Sequence, residues 1–307
     1  MKNKYIFLMV TMFVIAISGI IFVNREGTKR EQSTEGKLQV VTSFYPVYIG
    51  ALNITDQVEG ITLTNLAKPT AGCLHDYQLS TEDMVRLGEA DIFLINGGGM
   101  ESFMEEVAGQ YPKLPIIETG SAYLAEANKN THIWLCLDGY ASQMEVMEKA
   151  LSEIDPDNRY AYRENLGIYL EELDRLKIKA EELSKKIGGI KVILFHEGFE
   201  YLTDMLELEA VAVLDMDEDT GLNAGELSDL AELAKKEGAV YLLCDSGSGK
   251  TAADTIAGEI NGEVIVLDPL TSGASEKTAY LTAMENNLNI LGNSMTAYQE
   301  ENNEQGA

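Results

Sequence analysis

The chain alternates between short apolar runs and longer stretches whose apolar positions recur at helical spacing. Leu38-Gln-Val-Val-Thr-Ser and Ile61-Thr-Leu-Thr are β-rich, and a helix-like stretch lies between them around Val47 to Asp56. Thr81 to Ala90 opens on a capping-type Ser80/Thr81 and runs into the apolar Asp91-Ile-Phe-Leu-Ile-Asn96, which Gly97 to Gly99 close. A further strand is expected at Pro115 to Glu118. After a long interruption, Asp155-Pro156-Asp157 makes a helix start. From about Asn158 to Lys186 the Tyr, Leu and Ile positions then keep helical spacing without an internal proline, until Gly188-Gly189. Lys191 to His196, Ala210 to Leu214, Val240 to Leu243 and Val264 to Leu267 form a second set of strands.

Alternating strand and helix is the pattern of a parallel sheet. The expected fold is α/β, with two parallel-sheet lobes joined by one long rigid helix. The boundaries that follow are 38–155 for the first lobe, 156–187 for the linking helix, 188–295 for the second lobe and 296–307 for a polar tail.

The N-terminus departs from this pattern. Lys2 and Lys4 precede an uncharged, mostly apolar run from Tyr5 to Val23, long enough at helical rise to match the hydrocarbon core of a bilayer. Residues 1–24 are expected to be a signal anchor held in the membrane, Ala16-Ile17-Ser18 being a weak cleavage site, and 25–37 a tether. The rest is exported on this reading, to the extracytoplasmic face of the plasma membrane.

Apolar residues make up 45% of the chain and charged residues 24%, enough for substantial cores. A formal charge of -27 argues against a nucleic-acid partner, whose phosphates it would repel. Three cysteines, Cys73, Cys136 and Cys244, exclude a fully paired intramolecular framework and leave room for one disulfide.

The candidate chemistry lies in three histidines. His75 follows the second strand in a loop opened by Pro69 and Gly72. His132 precedes Ile-Trp-Leu, just before a helix expected near Ala141, and His196 ends the first strand of the second lobe. Asp268 holds the equivalent place after Val264 to Leu267. Ligands of open α/β sheets bind at that carboxyl end. Two candidates therefore fall in each lobe, as a metal held in the interlobe cleft requires. Glu197, next to His196 at a strand end, is expected to point the other way. Gly247-Ser-Gly-Lys-Thr251 lacks the first glycine of a phosphate loop and reads as a turn entering a helix. The acidic run Asp215 to Thr220 lacks EF-hand spacing and reads as a solvated loop at the cleft rim.

Leu38-Gln-Val-Val-Thr-Ser-Phe-Tyr-Pro-Val, His75-Asp-Tyr-Gln-Leu-Ser-Thr-Glu-Asp, Ala90-Asp-Ile-Phe-Leu-Ile-Asn-Gly, His132-Ile-Trp-Leu, Phe195-His-Glu-Gly-Phe-Glu-Tyr-Leu and Leu267-Asp-Pro-Leu occur in that order. The set resembles the solute-binding proteins of zinc and manganese ABC importers, over about residues 38 to 295. The resemblance implies metal ligands at His75, His132, His196 and Asp268, an ABC transporter permease as partner, and a monomer. A histidine at the third position matches the zinc-binding relatives, and three nitrogens with one oxygen suit Zn2+ better than the alternative, Mn2+.

Two departures stand out. No cysteine precedes Cys73, so lipid anchoring is not expected. Cys73 and Cys136 stand near two ligands where the family has other residues; they could be paired, metal-ligating or simply buried. No His-Glu-x-x-His helix and no nucleophile constellation is present, so no enzymatic activity is expected. A zinc-dependent hydrolase and a surface adhesion protein with a structural metal are the alternatives.

Overall fold

Two four-stranded sheets organise the computed structural model, which describes residues 36–67, 77–127, 130–214, 221–247 and 249–305. The first contains β1 (Leu38–Thr42), β2 (Ile61–Asn65), β3 (Ile92–Ile95) and β4 (Ile116–Glu118), in the order β2-β1-β3-β4. The second contains β5 (Lys191–Leu194), β6 (Glu209–Val213), β7 (Tyr241–Cys244) and β8 (Glu263–Val266), in the order β6-β5-β7-β8. Every pairing is parallel. The central strands β3 and β7 are buried at every residue, while the edge strands β2 and β6 are partly open, as burial of a parallel sheet from both faces requires. Both sheets repeat one topology. In each, strand order reverses beside the first strand, so a crevice opens at the carboxyl ends of β1 and β5.

The connecting helices are α1 (Tyr45–Ile54), α2 (Thr81–Gly88), α3 (Met104–Gln110), α4 (Ser121–Ala127), α5 (Leu137–Ile154), α6 (Arg159–Ile187), α7 (Glu200–Met205), α8 (Ala224–Glu237), α9 (Gly249–Ile260) and α10 (Ala279–Gln305). Local chemistry sets several of their ends. Pro46 in the first turn starts α1 earlier than hydrophobic spacing suggests. Ser80 and Asp83 form a reciprocal capping box on α2, as Asn223 and Glu226 do on α8, which Gly238 ends in the left-handed conformation.

The joining helix is α6, whose 29 residues span roughly 44 Å at 1.5 Å per residue. Its buried stripe, Tyr162, Tyr169, Leu173, Leu176, Ala180 and Ile187, packs against α5 and α10. One apolar core runs from the first sheet through these helices to β5, β7 and β8. A second, smaller core lies under α8 and α9, on the other face of the second sheet. Direct bonds also join the two lobes. Tyr140 stacks on Tyr280 with centroids 3.8 Å apart, Lys277 pairs with Asp56 at 2.6 Å, and Asn53 donates to the Lys277 carbonyl at 3.0 Å. The Lys277 ammonium holds the Asp56 carboxyl below its ordinary pKa.

Some elements differ from the sequence reading. The interruption before α6 contains α4, and α5 starts at Leu137 rather than near Ala141. The tail expected to begin at 296 is helical to Gln305, continuing α10. The turn at Gly247 does enter a helix, α9. The apolar run 5–23 and the acidic run 215–220 lie outside the described residues, among which no helix is long and apolar enough to cross a membrane.

A buried carboxylate organises the loop after β3. Glu101 is 3% exposed and accepts the N–H groups of Asn96 at 2.8 Å and Gly97 at 3.0 Å. Burial raises its pKa, and those N–H bonds pull the other way. The loop needs glycine: Gly97 has φ +86, and a Cβ there would meet the Glu118 Cβ at 2.8 Å. Glu101→Ala leaves buried donors unmatched and is expected to lower stability by about 2–3 kcal/mol. An unchanged urea midpoint would remove Glu101 from this role.

Candidate metal centre

His132 and His196 reach one another from different lobes. His132 caps the 3-10 turn Ile133–Leu135, with its own N–H held by Asn130 Oδ1 at 3.1 Å. Asn96, at the carboxyl end of β3, donates to the carbonyl of the preceding Thr131 at 2.9 Å and accepts from Gln143 at 2.9 Å. His196 stands two residues beyond β5 and caps a second 3-10 turn, Glu197–Phe199, its Nδ1 accepting the Gly198 N–H at 3.0 Å. Both histidines are fully buried, and their rings meet edge to face with centroids 4.9 Å apart. Trp134 flanks the first ring and Phe199 the second.

Gly198 makes this approach possible. A Cβ there would come within 2.8 Å of His196 Cε1, 2.8 Å of Leu135 Cδ1 and 2.9 Å of His132 Cβ. Asn130 adds the stitching, since its Nδ2 donates to the Glu197 carbonyl at 3.1 Å and to Glu200 Oε2 at 3.0 Å. Tyr201 closes the arrangement by donating to the Asn130 carbonyl at 2.6 Å.

Glu197 does not point away from its neighbour's partner. Strand alternation has already given way to the 3-10 turn, and Glu197 Oε1 comes to 3.2 Å from His132 Nδ1. Sequence reasoning also passed over Asn130. An asparagine two residues before a histidine is the available signal, because its side chain readily accepts the N–H two positions on.

Asp268 follows β8 and lies open to solvent on a cavity of about 800 Å3 that Tyr45, Asp245, Pro269 and Glu276 also line. Its Oδ1 accepts the Leu270 N–H at 2.7 Å. The surrounding protein raises its pKa against that bond. The Tyr45 phenol is raised first by burial and then by the charges of Asp268 and Glu276. Among the described residues, His132 and His196 are brought together, and no three His, Cys, Asp or Glu side chains converge as metal donors. His75 and Cys73 lie outside the described residues. Cys136 is free, with its Sγ 3.1 Å from the Tyr123 hydroxyl, and lines a different cavity of about 330 Å3 with Lys177 and Asp138. Cys244 is buried in β7, where burial pushes its thiol up to about 11.

Two parallel α/β lobes of matching strand order, a single long helix between them and one buried imidazole from each lobe make a two-lobed, helix-linked α/β protein. The chain belongs to the family of zinc-uptake complex component A, periplasmic, which it matches over residues 40–294. It is 28% identical over 287 residues to the zinc-binding lipoprotein AdcA of Streptococcus pneumoniae, covering 85% of this chain and 56% of AdcA. The chain thus spans little more than half the length of that relative. It is 24% identical over 311 residues to the high-affinity zinc uptake system protein ZnuA of Bacillus subtilis, covering 92% and 97% of the two. The crystal structure of the Zn(II)-bound ZnuA-like domain of Streptococcus pneumoniae AdcA matches with a TM-score of 0.71 at 26% identity, over 85% of this chain and all of that domain.

Proposed function

We propose that this protein captures a divalent transition metal, zinc foremost, between its lobes and delivers it to an ABC importer permease. The observation that carries the reading is the pair of buried imidazoles, one from each lobe, with ring centroids 4.9 Å apart. Neutral imidazole is a preferred zinc ligand, and two buried rings brought together from different lobes are suited to serve one ion.

His75, His132, His196 and Asp268 form the ligand set. Three nitrogens and one oxygen favour zinc over manganese, which prefers more oxygen donors. Four protein donors fill a tetrahedral site and leave no position for an activated water, so the chemistry is capture rather than hydrolysis. The Cys136 thiol, turned to Tyr123, stays outside the set. The binding domain works on the extracytoplasmic face, held to the membrane through the run 5–23, and hands the ion on as a monomer.

Binding requires deprotonated imidazoles, so protons compete with the metal. Zinc affinity, measured by chelator competition on the full chain in detergent, is expected to fall about tenfold or more between pH 7.5 and pH 5.5. Manganese at equal concentration is expected not to displace zinc. An affinity that does not change with pH, or displacement by manganese, would overturn the reading.

A further inference from the structure

Asn287 lies in the interior of α10 and is fully buried. Helix preference gives no reason for an asparagine there, and a buried amide is costly unless it is hydrogen-bonded. Its neighbours on the same face, Met284, Leu288 and Leu291, are apolar and buried. The amide is spent on one residue. Its Oδ1 accepts the Asp268 N–H at 2.9 Å, and its Nδ2 donates to the Asp268 carbonyl at 2.8 Å.

The position of Asp268 explains this use. β8 is an edge strand with β7 on one side, and the bond from Leu267 N–H to the Cys244 carbonyl lies at the end of their ladder. Asp268 follows beyond it, with a donor and an acceptor that a strand neighbour would otherwise satisfy. The Asn287 amide supplies the same complementary pair that a peptide group would. On the next residue, the Pro269 carbonyl accepts Trp134 Nε1 at 2.8 Å, and Leu270, at φ +58, donates to Asp268 Oδ1 at 2.7 Å. The backbone under the carboxylate is therefore held from α10 and from the His132 turn at once.

We infer that Asn287 is the positioning residue of Asp268: by clamping both of its backbone polar groups, it fixes the carboxylate in place before the ion arrives. The inference rests on the proposed role of Asp268 as a metal ligand. Asn287 touches no ion and acts through Asp268. Second-layer groups of this kind typically change metal affinity by roughly 10–100-fold when removed.

The test measures zinc affinity by chelator competition on the full chain for Asn287→Ala, Asp268→Ala and the double variant, with circular dichroism to verify folding. Leu288→Ala removes a buried side chain of the same helix that makes no bond to Asp268, and reports a merely structural loss. Asn287→Ala is expected to weaken zinc binding about tenfold or more, Leu288→Ala by less than about twofold, and the double variant no further than Asp268→Ala alone. Should Asn287→Ala not fold, Asn287→Ser, with a hydroxyl in place of the amide, is read the same way.

An Asn287 effect no larger than that of Leu288→Ala, or one that adds in full to Asp268→Ala, would overturn the inference while leaving the ligand set intact. Unchanged affinity in Asp268→Ala would instead overturn the ligand role on which it rests.

Discussion

His196→Ala is expected to abolish tight zinc binding, and His132→Ala to do the same. Each loss should exceed the roughly 10–100-fold that follows removal of a group behind a ligand, because a donor itself disappears. Both rings are fully buried, so each alanine removes a donor and leaves a buried hole in its place. His196 is also bonded to its own turn, its Nδ1 accepting the Gly198 N–H, and because a neutral imidazole has one lone-pair nitrogen, metal binding there exchanges this bond for the ion. Affinity must therefore be read on protein whose circular dichroism matches the parent. Zinc binding within about threefold of the parent in either folded variant would be incompatible with a site built on this pair.

The largest stability change is expected at Trp134. Its ring is fully buried and meets Phe44 edge-on at 5.0 Å. Its indole N–H donates to the Pro269 carbonyl at 2.8 Å, and its carbonyl accepts the Tyr280 hydroxyl at 2.7 Å. One residue beside His132 thus bolts the first lobe to the turn after β8 and to α10. Trp134→Ala should cost about 3–5 kcal/mol, a fall in Tm on the order of 10 °C for a chain of this size. Trp134→Phe keeps most of the packing and loses the N–H bond, so it should cost about 1–2 kcal/mol. Equal midpoints for Trp134→Ala and the parent in urea would show that the lobes are held elsewhere.

The fold was legible because its signals are local and periodic. Buried parallel strands leave short apolar runs such as Ile92–Ile95 and Tyr241–Cys244, and a long helix without proline leaves the stripe of α6. The helix α4 escaped because Ser121–Ala127 is short and its residues 121–125 are exposed or half-buried, so it carries little periodicity. Motif order proposed four ligands, and of these the structure brings His132 and His196 together. The side chains that hold them were not legible. Asn130, Glu101 and Asn287 act through backbone groups far away in sequence or across a turn, and hydrophobic pattern does not encode such bonds. Glu197 was misread because strand alternation was extended past the end of β5, into a turn that follows a different geometry.

The central claim is a zinc ion held by three imidazoles and one carboxylate. Zinc-edge X-ray absorption on the zinc-loaded full chain reads the donor set directly. The account predicts only nitrogen and oxygen donors at about 2.0–2.1 Å, with the multiple-scattering pattern of three imidazoles. A sulfur shell at about 2.3 Å would put Cys73 or Cys136 on the metal and contradict it, as would a shell of oxygen donors without imidazole.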